Sequence, residues 1–257
     1  MPLELTLFYL IVFAFGLCFG SFFNVCTDRI PRHESVVKVR SHCESCGYTL
    51  EWYDNVPLLS YLFLKGRCRK CRIKLSAKYP VMEAVTGALF VLIFIFHGIS
   101  VESGIWCLAS GVLLTISIID WRTYEIPIGL NGVLLALGLI HLVLDRKNWP
   151  DYLIGFVSVS LLLYILYLLS KGRAIGGGDI KLMAVMGLLL GWKLCIFGFI
   201  AGCIIGSIVH IIRMKVTGAE HMLAMGPYLS AGLYLGMLFG DRLTSAYMEN
   251  FLTGRIP

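Results

Sequence analysis

The chain has 257 residues, 58% of them hydrophobic and only 15% charged, with a mean hydropathy of +0.79. A water-soluble domain of this length would carry nearer a quarter charged residues, so a soluble globular protein is excluded. The formal net charge of +6 raises nucleic acid as a partner, yet eleven of the 22 Lys and Arg fall between Arg29 and Lys78. That clustering is the mark of a cytoplasmic loop beside membrane helices and not of a nucleic-acid face.

Several apolar runs of roughly 18 residues match the bilayer's hydrocarbon core and predict an all-α polytopic membrane protein. Eight spans are expected: Leu5–Val25, Val81–Phe96, Gly104–Ile119, Ile128–Leu144, Tyr152–Leu169, Ile180–Leu190, Leu194–Ile212 and Pro227–Phe239. The first has no basic region before it, continues into Asn24, Asp28 and Arg29, and lacks a small-residue cleavage pattern. It is read as a retained helix and not as a signal peptide. The remainder divides into a hydrophilic loop over 28–80 and a multi-helix membrane domain over 81–257, after a first helix over 1–27.

If all eight spans cross, the amino terminus lies outside, and the polar segments 28–80, 120–127, 170–179 and 213–226 lie in the cytoplasm. The inner side then holds 17 Lys and Arg and the outer side 5; the reverse orientation inverts that ratio and is rejected. The sixth span is short. From Asp179 to Gly191 is 13 residues, about 20 Å of helix, so it should tilt little, thin the bilayer or start in a water-accessible recess. Gly16 and Gly20, and Gly198, Gly202 and Gly206, recur every fourth residue, as helices that approach closely in lipid require.

Two acids stand out against this background, because ionisable residues in membrane segments are expensive and default to functional hypotheses. Asp120 ends the third span in SIIDWRTYEIP, and Asp179 opens the sixth in GGGDIKL. Both fall at the cytoplasmic boundary. A helix N-cap would explain Asp179 alone, and a membrane-surface marker would explain Asp120. An N-cap does not need Gly176, Gly177 and Gly178 before it, however, and such glycines let another backbone come close. Two carboxylates facing across a cleft cannot both ionise easily and hold a shared proton near neutrality. One can then take a proton from water while the other polarises a peptide carbonyl, which is aspartic-protease chemistry. The chain contains no G-x-S-x-G and no H-E-x-x-H, and its six histidines are scattered, so serine and metallopeptidase machinery fit poorly.

The basic loop contains CESC (Cys43, Cys46) and CRKC (Cys68, Cys71), with 21 residues between the pairs. Two C-x2-C knuckles so spaced fit a tetrahedral Zn²⁺ held by four thiolates. Disulfides are the competing reading, but a cytoplasmic loop is reducing. Neighbouring Arg and Lys would offset the negative charge of a tetrathiolate centre. The other five cysteines sit in or beside apolar spans, as small hydrophobes.

In order along the chain, these motifs resemble the bacterial type IV prepilin peptidases, also called leader peptidase/N-methyltransferases. The resemblance begins at GSFFNVCTDRIP (Gly20 to Pro31), runs through both cysteine pairs with WYDNVPLLS between them, and continues in YPVMEAVTG (Tyr79 to Gly87). Asp120 with Ile126 and Pro127 is similar to the family's first aspartate motif, GGGD to its G-x-G-D, and GPYL (Gly226 to Leu229) to its last element. Glu44 stands where the family usually has Pro, and Ala224 and Met225 where it often has Pro and Phe.

The resemblance implies a bacterial inner-membrane enzyme with catalytic Asp120 and Asp179 at the cytoplasmic face. Its substrates would be type IV prepilin or pseudopilin precursors, each with a short basic leader, a glycine and a hydrophobic helix. It also implies methylation of the new amino terminus with S-adenosylmethionine, for which the sequence itself shows no nucleotide fingerprint. Glu83, at the inner end of the second span, is the local candidate for binding a cation or the nascent amine; an interfacial, solvated Glu is the alternative. Partners are then membrane lipid and precursor, not nucleic acid.

Two other classes fit a polytopic chain with paired acids. A cation-coupled transporter would place its acids near the midplane and show inverted repeats; here both acids lie at one interface, with no convincing repeat. A membrane scaffold with a zinc loop would tolerate substitution of either acid.

Overall fold

The computed structural model describes residues 3–173, 175–217 and 223–252; His221 and Arg255, counted in the histidine and charge survey above, lie outside them. The described residues are helical with no named strand, apart from two isolated antiparallel bridges, His42–Thr49 and Arg67–Lys74. They form two compact units, Met1–Ile99 and Ser100–Pro257.

In the first unit, α1 (Leu3–Arg29) and α3 (Lys78–His97) pack antiparallel. The glycine stripe sets the spacing. A Cβ on Gly16 would lie 2.6 Å from the Cα of Gly87, and one on Gly20 2.7 Å from the Cα of Glu83. Larger residues would force the helices apart, so the stripe is an interface, as expected. Phe8 and Phe94 meet edge to face at the other end of the pair. Where the chain leaves and rejoins the pair, Asn24 Nδ2 donates to the Tyr79 carbonyl at 3.0 Å and Lys78 pairs with Asp28.

The loop between them carries one short α-helix, α2 (Leu59–Phe63), and two single-turn 3-10 helices, Ile30–Arg32 and Trp52–Asp54. Cys43 and Cys68 are the only buried hydrophobic side chains between Arg29 and Lys78. A segment of about fifty residues without an apolar core needs another source of stability, and a metal is a common one.

The second unit contains α4 (Val101–Thr123), α5 (Ile128–Leu144), α6 (Trp149–Leu169), α7 (Gly177–Thr217) and α8 (Gly226–Leu252). The expected sixth and seventh spans both fall in α7, which breaks at Gly191 (φ 77, ψ 169), a conformation essentially confined to glycine. The break is a reversal. Cys195 Sγ lies 3.7 Å from the Met183 carbonyl, whereas twelve residues of straight helix would separate them by about 18 Å.

The first arm of α7 (177–190) is the buried centre of this unit. Leu182, Met183, Met186 and Leu189 are fully enclosed, as are Ile116 and Ile119 of α4, Leu134 of α5, and Leu229, Leu233 and Met237 of α8. Against α6 the approach is closest: a Cβ on Gly155 would stand 2.3 Å from the Gly187 carbonyl oxygen. The second arm (192–217) lies antiparallel to α8, with Gly198 against Leu233 and Gly202 against Tyr228, Leu229 and Gly232. The second glycine stripe is therefore also a helix interface.

Five segments among the described residues are long and apolar enough to cross a membrane: Leu3–Arg32, Lys78–His97, Val101–Thr123, Arg146–Leu169 and Gly177–Val216. At 17 residues α5 is apolar but shorter. The chain is a multi-pass membrane protein.

Candidate active site

Asp120 sits in the last turn of α4, which ends at Tyr124 in the left-handed conformation, its N–H donating to the Asp120 carbonyl at 2.8 Å. Asp120 is 4% exposed. Its Oδ2 accepts the backbone N–H of Gly226 at 2.8 Å. Gly226 opens α8, whose first N–H groups have no partner within the helix, so a residue of α4 caps α8. A helix N-terminus also favours a negative charge there. The fit is close, because a Cβ on Gly226 would lie 2.7 Å from Asp120 Oδ2 and 2.9 Å from its Cβ.

Asp179 lies in the first turn of α7, half-buried, with its N–H donating to the Gly176 carbonyl at 3.2 Å. The three glycines before it have different surroundings. A Cβ on Gly176 would meet Asp179 Oδ2 at 3.0 Å, and one on Gly178 would meet Ile126 Cβ at 3.0 Å; at Gly177 nothing lies within 4 Å. Two of them make room for the protein's own side chains and the middle one leaves space open.

Asp120, Asp179 and all three glycines line one cavity of about 310 Å³. Tyr124, Glu125, Ile126 and Lys181 also line it. Two carboxylates from different helices thus face one polar cavity beside an exposed glycine backbone.

The four loop cysteines form a second constellation. Their sulfurs all lie within 4.8 Å of one another, with Cys43–Cys71 at 3.8 Å and Cys46–Cys68 at 4.0 Å. A tetrahedral metal with bonds of about 2.3 Å to sulfur needs edges of about 3.8 Å, so the cluster could bind a metal ion. Backbone N–H groups of Cys71 and Lys70 draw the Cys68 thiol down to about 7, while burial and the neighbouring thiols raise Cys71 to about 11, so the first proton of the cluster leaves Cys68.

The two knuckles share one backbone pattern, offset by 25 residues. Cys43 N–H bonds the Tyr48 carbonyl as Cys68 N–H bonds that of Ile73; Gly47 bonds back to Cys43 as Arg72 does to Cys68; Leu50 bonds Ser41 as Leu75 bonds Gly66. Asp54, its side chain 1% exposed, clamps them together. It accepts from Arg69 Nε inside the second knuckle at 2.6 Å and from the Tyr48 hydroxyl beside the first at 3.1 Å. Burial works to raise the Asp54 carboxyl, but the hydrogen bonds from Arg69, Tyr48 and the Glu51 backbone outweigh it and hold the group below the ordinary carboxylate range.

Glu83 is buried on α3, where its Oε2 accepts the backbone N–H of Leu58 at 2.7 Å. Nothing in its local sequence announces that tie to the loop.

With this geometry in view, the comparisons are informative. Residues 14–97 match the Bacterial Peptidase A24 N-terminal domain, and residues 107–211 match the Type IV leader peptidase family. A prepilin leader peptidase/N-methyltransferase of Bacillus subtilis is 34% identical, over 93% of this chain and 97% of its own length. This chain belongs to the type IV leader peptidase family. Relatives of the same name in Myxococcus xanthus (33% identical, 82% of this chain, 65% of that protein) and Pseudomonas aeruginosa (28%, 94% of each) agree. No solved structure matches. The first family match takes in the cysteine cluster and Glu83, and the second takes in both aspartates. Nothing in these matches supports a cation-coupled transporter.

Proposed function

We propose that this chain removes the basic leader from type IV prepilin or pseudopilin precursors and methylates the new amino terminus. Membership of the family supports both activities. The observation that carries the catalytic assignment is that Asp120 and Asp179, from different helices, line one cavity. In this reading the pair shares one proton. The ionised member takes a proton from a water whose oxygen attacks the scissile carbonyl, polarised by the other member; that proton passes to the leaving nitrogen as the C–N bond breaks, and no covalent intermediate forms. Gly177 leaves the clearance for the substrate backbone.

The proposed topology has eight crossings, an external amino terminus, and the 28–80 loop and both aspartates at the cytoplasmic face of the bacterial inner membrane. The helix of the precursor then lies in lipid with the scissile bond at the interface. Zn²⁺ is the proposed metal of Cys43, Cys46, Cys68 and Cys71, holding a loop that has no apolar core. S-adenosylmethionine, when bound, supplies the methyl group, and Glu83 is the residue proposed to bind a cation or the nascent amine.

Reconstituted protein, a precursor and S-adenosylmethionine test the whole reading by mass spectrometry. The product should lack the leader and carry the mass of one added methyl group. An intact precursor would contradict the protease assignment, and a cleaved but unmodified product the methyltransferase assignment.

A further inference from the structure

Helix α2 begins at an unusual residue. Leu58 holds φ 62 and ψ −48, a strained conformation for a residue with a side chain, and its N–H is fixed to the Glu83 carboxylate. Glu83 is five residues into α3, about 7.5 Å along the helix axis. Leu59 comes next in the chain, so α2 starts level with the first turns of a helix long and apolar enough to cross the membrane.

Its outward face is apolar. Leu59, Leu62 and Phe63 are 52%, 62% and 84% exposed, and their spacing of three and four places them on one side of a helix. The next residues are basic. Lys65, Arg67, Lys70, Arg72 and Lys74 are all exposed, and among the described residues none makes an ion pair. By contrast Asp28, Glu44, Glu51 and Asp54 each hold a different cation: Lys78, Arg32, Arg40 and Arg69. The unpaired charge of the loop is thus concentrated beside its apolar helix.

We propose that α2 and the second cysteine knuckle seat on the anionic surface of the cytoplasmic leaflet. Leu59, Leu62 and Phe63 enter the headgroup–acyl boundary, and the five cations lie over lipid phosphates. An apolar face backed by Lys and Arg is the pattern of interfacial helices, which sink about 5–10 Å into that boundary. The tie to Glu83 holds α2 at a comparable depth. The inference takes the cytoplasmic placement of the loop from the reading above. A precursor with a basic leader is the poorer occupant, because these five cations repel it.

The test uses the full-length protein in nanodiscs of phosphatidylglycerol and phosphatidylcholine, with and without bromine on the acyl chains near the headgroup. Wild type is compared with Phe63→Trp and, separately, Leu62→Trp, each checked for unchanged metal content. The emission added by either substitution should fall by about twofold or more in brominated discs, as for a side chain in the boundary, and less in phosphatidylcholine alone. Added emission that bromine leaves unchanged in both variants overturns the proposal. Equal quenching without phosphatidylglycerol contradicts the anionic surface, and quenching abolished by a precursor assigns the face to substrate instead. None of these readouts depends on cleavage, so failure of the enzymatic reading would show separately.

Discussion

Asp120 accepts the backbone N–H of Gly226 at 2.8 Å, joining residues 106 positions apart and fixing the start of α8 to the end of α4. The bond orients one carboxylate of the proposed pair, and the absence of a side chain on Gly226 permits it. Gly226→Ala should push the Asp120 carboxylate aside at an overpacking cost of about 1–3 kcal/mol. A displacement of about 1 Å at a catalytic group can cost about 100-fold in rate. Precursor cleavage by this variant should therefore fall by one to two orders of magnitude while the protein still inserts. Near wild-type cleavage would mean that Asp120 needs no such orientation.

The thiol cluster predicts a metal-dependent loop. Wild type should copurify with about one zinc per chain, and Cys43→Ser should lose it and become protease-sensitive between Arg29 and Lys78. Elemental analysis and limited proteolysis measure both. Unchanged zinc in Cys43→Ser would refute the four-thiolate site.

Asp54 predicts a pH dependence of known sign. Its folded pKa is depressed, so its contribution to loop stability is present above the unfolded carboxylate value of about 3.9. That contribution is lost as pH falls through the lower folded value. Hydrogen exchange in the loop should separate Asp54→Asn from wild type most at neutral pH, and the gap should close in acid. A gap that widens on acidification would show that the clamp works through something other than the ionised carboxylate.

At the α6–α7 contact, a Cβ on Gly187 would fall 2.0 Å from the Gly155 carbonyl oxygen, a backbone atom that cannot rotate away. Gly187→Ala should cost about 1–3 kcal/mol and lower the thermal midpoint in detergent. Gly104→Ala, where nothing lies within 4 Å, is the matched control. Equal midpoints for the two variants would contradict the close approach.

The helices were legible in the sequence because membrane spans are set by length and apolarity, and α5 begins and ends where expected. The two aspartates were legible for the converse reason, as carboxylates are conspicuous in apolar surroundings. The turn between the expected sixth and seventh spans was legible too, and it falls at Gly191. Two features were not. The Gly226–Asp120 bond joins a main-chain group to a distant side chain and leaves no local pattern, though a glycine opening a helix in GPYL was a signal. Glu83 was read as a candidate for binding a cation or the nascent amine, but its bond to Leu58 depends on a loop conformation that no residue pattern specified. The two knuckles, by contrast, were readable from the paired C-x2-C spacing, although their shared backbone pattern was not.

The central claim is that Asp120 and Asp179 act together, and the most direct measurement is cleavage of a pilin-like precursor by Asp120→Asn and Asp179→Asn, each shown to be inserted. Both variants should lose cleavage by about 100-fold to 10,000-fold, as for removal of an acid–base group. Full processing of the precursor by either variant would contradict the pair.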